Sequence, residues 1–247
     1  MEDVLSFDRE TKFPTVLILA GGAGTRLRSE VPDVPKPMAP AAGKPFLFYL
    51  VRHLWEQGFR DFVFSLHHQA EKIRAFFTDF SEFKGARYRF VVEPKPLQTG
   101  GAILWSAFET ALDQPFLVLN GDTLLSGDLR PMVKMHRRGE LTIALSRVSD
   151  VSRYGTVITD LKSMVLGFQE KAPDSRIAGT INAGAYLMEK ESLEQSGFCV
   201  GDAFSIEKDV FPTFIGLGKI QGVLIPGTFI DIGIPEDYRR FKSQVEK

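Results

Sequence analysis

Three groups of residues in this 247-residue sequence have the types and spacing needed to handle phosphate. The first is the small-residue run Ala20-Gly21-Gly22-Ala23-Gly24-Thr25, directly after the apolar stretch Thr15–Leu19. Backbone N–H groups in such a loop can reach a phosphate with no side chain in the way. The second is a pair of cations, Arg26 in the same run and Lys36 between Pro35 and Pro37. A guanidinium can hold two phosphate oxygens in its planar fork, and an ammonium supplies a compact point charge. The third is a pair of carboxylates: Asp122, just past the apolar run Pro115–Leu119, and Asp231, after Gly227-Thr228-Phe229-Ile230. Two hard oxygen ligands, completed by substrate phosphates and water, suit Mg²⁺. On spacing alone, Asp122 reads equally well as a turn or helix-cap residue.

Two other glycine loops are excluded. A P-loop needs Lys-Ser or Lys-Thr after its glycines, and none follows here. A dinucleotide fingerprint counted from Gly22 would end on Gly or Ala but meets Leu27, which disfavours a nicotinamide-dependent oxidoreductase. His67-His68 also looks like a metal pair. Neighbouring side chains on a strand point to opposite faces, so the two cannot chelate one ion well.

Composition narrows the function classes. The formal net charge is −1, so no global field favours nucleic acid or an anionic membrane. Cys199 is the single cysteine, which excludes an internal disulfide and reads as an inert, partly buried thiol in a cytoplasmic protein. No apolar run approaches the roughly 20 residues that span a bilayer. Met1–Lys12 is acidic and polar, unlike a signal peptide.

Periodicity supplies the elements that must position these residues. Strands are predicted at Thr15–Leu19, Asp61–Leu66, Tyr88–Val92, Pro115–Leu119 and Thr142–Val148. Helices are predicted between them at Phe46–Gln57, Gln69–Thr78, Thr99–Leu112 and Leu129–Arg138. Such alternation implies an α/β fold with a doubly wound, mainly parallel sheet. Thereafter come short strands at Thr156–Thr159, Val165–Gln169, Ile181–Met188 and Gln221–Ile225, with helices only at Phe204–Phe211 and Pro235–Val245. This organisation reads as a lead-in over 1–14 and one domain over 15–247. Its first half is 15–150, and 151–247 is a smaller portion on the same sheet.

The run Gly21-Gly22-Ala23-Gly24-Thr25-Arg26-Leu27 with Pro35-Lys36-Pro37 resembles the signature of the sugar-1-phosphate nucleotidylyltransferases, from about Thr15 to about Phe241. Within that family, Pro37-Met38-Ala39-Pro40, Gly43-Lys44-Pro45-Phe46-Leu47 and Phe204-Ser205-Ile206-Glu207-Lys208-Asp209 are most similar to the heptose 1-phosphate guanylyltransferases, with mannose-1-phosphate guanylyltransferases next. The resemblance implies nucleotidyl transfer from GTP to D-glycero-α-D-manno-heptose 1-phosphate, for cell-surface polysaccharide synthesis. It implies too that 15–150 mainly binds nucleotide and 151–247 mainly sugar phosphate. Mannose-specific, uridylyl- and thymidylyl-transferring enzymes are the alternatives, and a non-catalytic sugar-nucleotide sensor is a remote one.

The resemblance also implies roles: Arg26 and Lys36 as catalytic cations, and Asp122 and Asp231 as Mg²⁺ ligands. Ala20, Gly21, Gly22, Gly24, Thr25, Gln98, Thr99 and Gly100 would hold the nucleotide. Tyr154, Gly155, Glu170, Lys171, Asn182 and Gly184 would hold the sugar phosphate. Gln98 stands where the family usually has Gly, and Ile234 where it usually has Thr. The implied partners are the two small substrates, with no nucleic acid or membrane and a homo-oligomer left open. The chain stops before the C-terminal β-helix of the family's longer members.

Overall fold

The computed structural model describes residues 13–22, 24, 27, 30–78, 80–112, 114–169 and 177–246. Residues 1–12 of the N-terminal lead-in lie outside them. The buried apolar run after Thr15 forms β1 (Val16–Leu19). A small hairpin, β2 (Pro40–Ala41) and β3 (Lys44–Pro45), leads into α1 (Phe46–Glu56). Then follow β4 (Asp61–Leu66), α2 (Ala70–Thr78), β5 (Arg87–Val92), α3 (Gln98–Thr110) and β6 (Phe116–Asn120). The short β7 (Thr123–Leu125), α4 (Arg130–Met135) and β8 (Leu141–Val148) complete the alternating half.

The second half contributes β9 (Thr156–Thr159), β10 (Val165–Gln169) and β11 (Gly179–Met188). It ends with α5 (Lys190–Glu194), α6 (Phe211–Gly216), β12 (Ile220–Leu224), β13 (Phe229–Asp231) and α7 (Pro235–Val245).

Among the described residues, nine strands form one sheet, in the order β10-β9-β11-β6-β1-β4-β5, with β8 beside β11 and β12 beside β8. β1, β4, β5 and β6 are parallel. β11 runs against β6, β8 and β9, and β10 runs against β9. Only β10 and β11 therefore oppose the common direction.

Alternate side chains of each central strand feed two separate cores, as period-2 geometry requires. Val16 and Ile18 of β1 face a layer of α1, α2 and α7 residues such as Phe46, Phe77 and Phe241. Leu17 faces α3 and α6 residues such as Ile103 and Phe211. Helices thus cover both faces, and each fully buried Leu or Phe contributes about 1.5–3 kcal/mol of transfer free energy.

Several boundaries differ from the sequence reading, for identifiable reasons. The helix expected over Phe204–Phe211 begins later, as a π turn at Ile206–Val210 continuing into α6. Phe204 stays outside it because its carbonyl accepts the N–H groups of Gly100 (2.9 Å) and Gly101 (3.2 Å) at the start of α3. α4 stops at Met135 instead of Arg138 because His136 turns extended. Its ring bonds Thr142 Oγ1 (2.9 Å) and Glu189 Oε1 (3.2 Å). Cys199 is exposed, not partly buried, in a turn held by the Asp202 carboxylate. Among the described residues no helix is long and apolar enough to cross a membrane.

Candidate active site

A cavity of about 570 Å³ opens at the carboxyl ends of β1, β4 and β6, where open α/β sheets bind ligands. The expected residues Ala20, Gly21, Gly22, Gly24, Lys36, Gln98, Thr99 and Asp122 line it. Sequence-distant parts meet because β1 lies between β4 and β6. Thr25 and Arg26 lie outside the described residues, as do Glu170 and Lys171.

The loop after β1 is close-packed where it turns and open where a ligand would enter. Gly24 has φ +59°, and a Cβ there would lie 2.8 Å from Lys36 Cβ. A glycine is thus needed both for the backbone and for the lysine against it. A Cβ on Gly22, by contrast, would meet nothing within 4 Å.

Lys36 sits in a 3-10 turn, Lys36–Met38, opened by Pro35 and stiffened by Pro37. Its Nζ is 2.5 Å from Asp122 Oδ2 and 4.0 Å from Asp231 Oδ1. Asp122 lies in the turn between β6 and β7, and Asp231 ends β13. A two-stranded ribbon brings them together: β13 pairs antiparallel with β7, setting Asp231 opposite Thr123. Ile232 N–H then donates to the Asp122 carbonyl (3.0 Å), and Gly233 N–H to Asp231 Oδ1 (2.8 Å). The Asp231 carboxyl is pushed above its ordinary range by burial and then by Asp122, against an opposing pull from Lys36. Sequence periodicity missed the ribbon because its strands have only three residues each.

At the α3 end of the cavity, Gln98 takes φ +58°, a left-handed conformation that a family glycine would adopt freely. Gly100 is not on the cavity wall. Its N–H goes to Phe204, and a Cβ there would run into the Phe204 ring, so packing accounts for this glycine. Leu97, before α3, provides no side-chain cap, and the Phe204 carbonyl substitutes for one.

Glu93 is a cavity residue that the sequence reading overlooked. Buried just after β5, it accepts from Leu97 N–H (3.1 Å) and Ser65 Oγ (3.2 Å). Burial raises its carboxyl above the usual range. A lone Glu between a strand and Pro94 carries no pattern signal. The Gly21 contact, where a Cβ would meet Glu93 Oε1 at 2.7 Å, ties it to the loop. His67 and His68 also line the cavity, just past the end of β4, with His67 Nδ1 3.3 Å from the Glu93 carbonyl. Among the described residues no group of three or more His, Cys, Asp or Glu is arranged to hold a metal unaided.

Of the remaining sugar-side residues, Asn182 and Gly184 lie in β11, and Tyr154 and Gly155 in the turn that leads into β9. Asn182 lies at a break in register in β11, where Gly184 has φ +70° and a Cβ would touch the Asn120 amide at 2.6 Å. Asn182 Oδ1 accepts from Gly184 N–H (3.0 Å), and its Nδ2 donates to Tyr186 Oη (3.0 Å). Tyr154 donates to Asp237 Oδ2 (3.0 Å) and sets its ring edge-on to Phe229. Burial, then Asp237, pushes its hydroxyl far above the ordinary phenol range. Gly155 lies against the Gln169 carbonyl.

An open α/β sheet, a glycine-lined cavity at its carboxyl edge and a lysine between two carboxylates define a nucleotidyl-transferring class of protein. The chain belongs to the nucleotidyl transferase family, whose model matches residues 15–247. It is 38% identical to a D-glycero-alpha-D-manno-heptose 1-phosphate guanylyltransferase of Aneurinibacillus thermoaerophilus, over 93% of this chain and 97% of that protein. It is 36% identical to a mannose-1-phosphate guanylyltransferase of Mycobacterium tuberculosis, over 91% of this chain but 62% of that protein. Among solved structures, HddC from Yersinia pseudotuberculosis, complexed with GMP-PN, superposes with a TM-score of 0.82 at 35% identity, covering 94% of this chain and all of that one.

Proposed function

We propose that this chain transfers the guanylyl group of GTP to D-glycero-α-D-manno-heptose 1-phosphate, giving GDP-heptose and pyrophosphate. The observation that carries the reading is the near full-length match to the Aneurinibacillus heptose enzyme. A sugar-phosphate oxygen attacks the α-phosphorus as the bond to the β-phosphate oxygen breaks, and pyrophosphate leaves with the electron pair. The nucleophile is already an anion, so no general base is needed. The barrier is repulsion between anions and charge gathering on the leaving group, which positioning and electrostatics lower.

The loop Ala20–Gly24 with Thr25 cradles the triphosphate, and Arg26 holds the leaving pyrophosphate. Lys36 offsets charge at the reacting phosphates. Gln98, Thr99 and Glu93 form the base end, where the Glu93 carboxylate can accept from the guanine edge. Tyr154, Gly155, Glu170, Lys171, Asn182 and Gly184 receive the sugar phosphate.

Asp122 and Asp231 suit a divalent cation, Mg²⁺ in this reading. Both are hard oxygen donors, and the Asp231 carboxyl is raised first by burial and then by the Asp122 charge, the second of which such an ion would relieve. With only two protein carboxylates, the rest of its shell falls to substrate oxygens and water. When bound, the ion neutralises developing phosphate charge. The proposed setting is the cytoplasm, with the product feeding capsule or lipopolysaccharide synthesis. Pyrophosphate release from four nucleoside triphosphates against a panel of sugar 1-phosphates tests the reading. GTP with the heptose substrate is expected to be fastest.

A further inference from the structure

The geometry points to Glu207 as a positioning residue that couples the nucleotide side of the cavity to the sugar side. The inference rests on the two half-sites assigned above, and it concerns a residue to which neither was attributed. Glu207 lies in the π turn, a departure from α geometry often found at functional sites. Its Oε2 accepts from Thr99 Oγ1 (2.9 Å) and Ser205 Oγ (2.9 Å), and its Oε1 from Tyr186 Oη (3.1 Å). Thr99 is on the cavity wall at the start of α3. Tyr186 is fully buried on β11 and holds the side chain of Asn182. One carboxylate therefore fixes a nucleotide-side hydroxyl and, through one tyrosine, a sugar-side amide.

The three hydroxyls donate to Glu207 because an ionised carboxylate only accepts, and each of them also accepts an N–H. Thr99 Oγ1 accepts from Ile206 N–H (3.0 Å), Ser205 Oγ from Lys208 N–H (3.3 Å), and Tyr186 Oη from Asn182 Nδ2. A carboxylate has acceptors alone and satisfies all three. A carboxamide presents N–H groups to one side, and the hydroxyl proton there loses the carboxylate oxygen that accepts it. Glu207→Gln, although isosteric, must therefore release either Thr99 or Tyr186. The shared carboxylate then shifts, and the loss spreads to the other side.

The test is steady-state kinetics of the wild-type chain, E207Q, T99V and Y186F, with unfolding midpoints recorded in parallel. The wild type is first assayed on all four nucleoside triphosphates and the sugar 1-phosphate panel. The pair it turns over fastest decides the substrate reading, and the variants are then assayed on that pair whatever it is. E207Q is expected to raise the KM of both substrates about tenfold, the scale of a lost hydrogen bond to a charged group. T99V should raise chiefly the nucleotide KM and Y186F chiefly the sugar-phosphate KM, each with a smaller rise, about twofold, for the opposite substrate. Should E207Q not fold, those cross-effects carry the test. A lower midpoint with both KM values unchanged, or effects in T99V and Y186F confined to their own substrate, would overturn the coupling.

Discussion

Lys36 Nζ lies 2.5 Å from Asp122 Oδ2, although 86 residues separate the two in sequence. Asp231 Oδ1 faces the same nitrogen at 4.0 Å. One positive charge thus stands between two negative ones at the rim of the cavity, an arrangement that a divalent cation on the carboxylates would alter. Asp122→Asn keeps shape and removes charge. It is expected to preserve the fold and to lower turnover by about a hundredfold or more, as loss of transition-state charge compensation does. Undiminished pyrophosphate release by this variant in excess Mg²⁺ would remove Asp122 from the cation site.

Asp231→Asn separates activity from stability. Because the folded protein raises this carboxyl above its unfolded value, the native state binds more protons between the two values. Wild-type stability therefore declines, through this group, as pH rises across that window. In metal-free buffer the variant should match the wild type below the ordinary aspartate range and exceed it above the raised value. Its turnover should be severely reduced. Chemical unfolding at a series of pH values checks the sign, and a destabilised variant at neutral pH would count against it.

Lys36→Ala should lower kcat more than it raises KM, because its charge matters most where phosphate charge develops. It should also tighten Mg²⁺ binding without nucleotide, since the ammonium no longer occupies Asp122. A change in KM alone would make Lys36 a ground-state binding residue. Calorimetric titration of Mg²⁺ checks the second expectation independently.

Gln98→Gly relieves the left-handed backbone at φ +58° and should raise stability by about 1 kcal/mol. The same change should weaken discrimination among nucleoside triphosphates by removing a base-side amide. Gly100→Ala should act oppositely on stability, costing about 1–3 kcal/mol because the new methyl group meets the Phe204 ring. Equilibrium denaturation of both variants tests the pair of signs.

The strands and helices were legible where one element buried a long enough periodic face. β4, β9, β10 and α7 have the bounds that their apolar patterns predicted. The glycine loop and Asp122 were legible as candidate chemistry because each follows a strand of the central sheet, and Lys36 because two prolines flank it. Their meeting with Asp231 was not, because the β7–β13 ribbon is too short to carry a period. The cap that Phe204 supplies to α3 is a backbone contact between distant segments, which no local propensity encodes. Glu93, and the linking role of Glu207, escaped notice for a related reason. Their importance lies in partners gathered from other elements, such as Leu97, Thr99 and Tyr186.

The central claim is the substrate pair, and a competition assay measures it most directly. The wild-type chain receives equal concentrations of D-glycero-α-D-manno-heptose 1-phosphate and mannose 1-phosphate with GTP, and parallel reactions substitute ATP, UTP or dTTP. The account predicts GDP-heptose as the main product and GTP as the fastest donor. Without the guanine donors the buried Glu93 acceptor is left unpaired, at a cost of roughly 1–3 kcal/mol, about tenfold or more in rate. Predominant GDP-mannose, or faster turnover with UTP or dTTP, would contradict it.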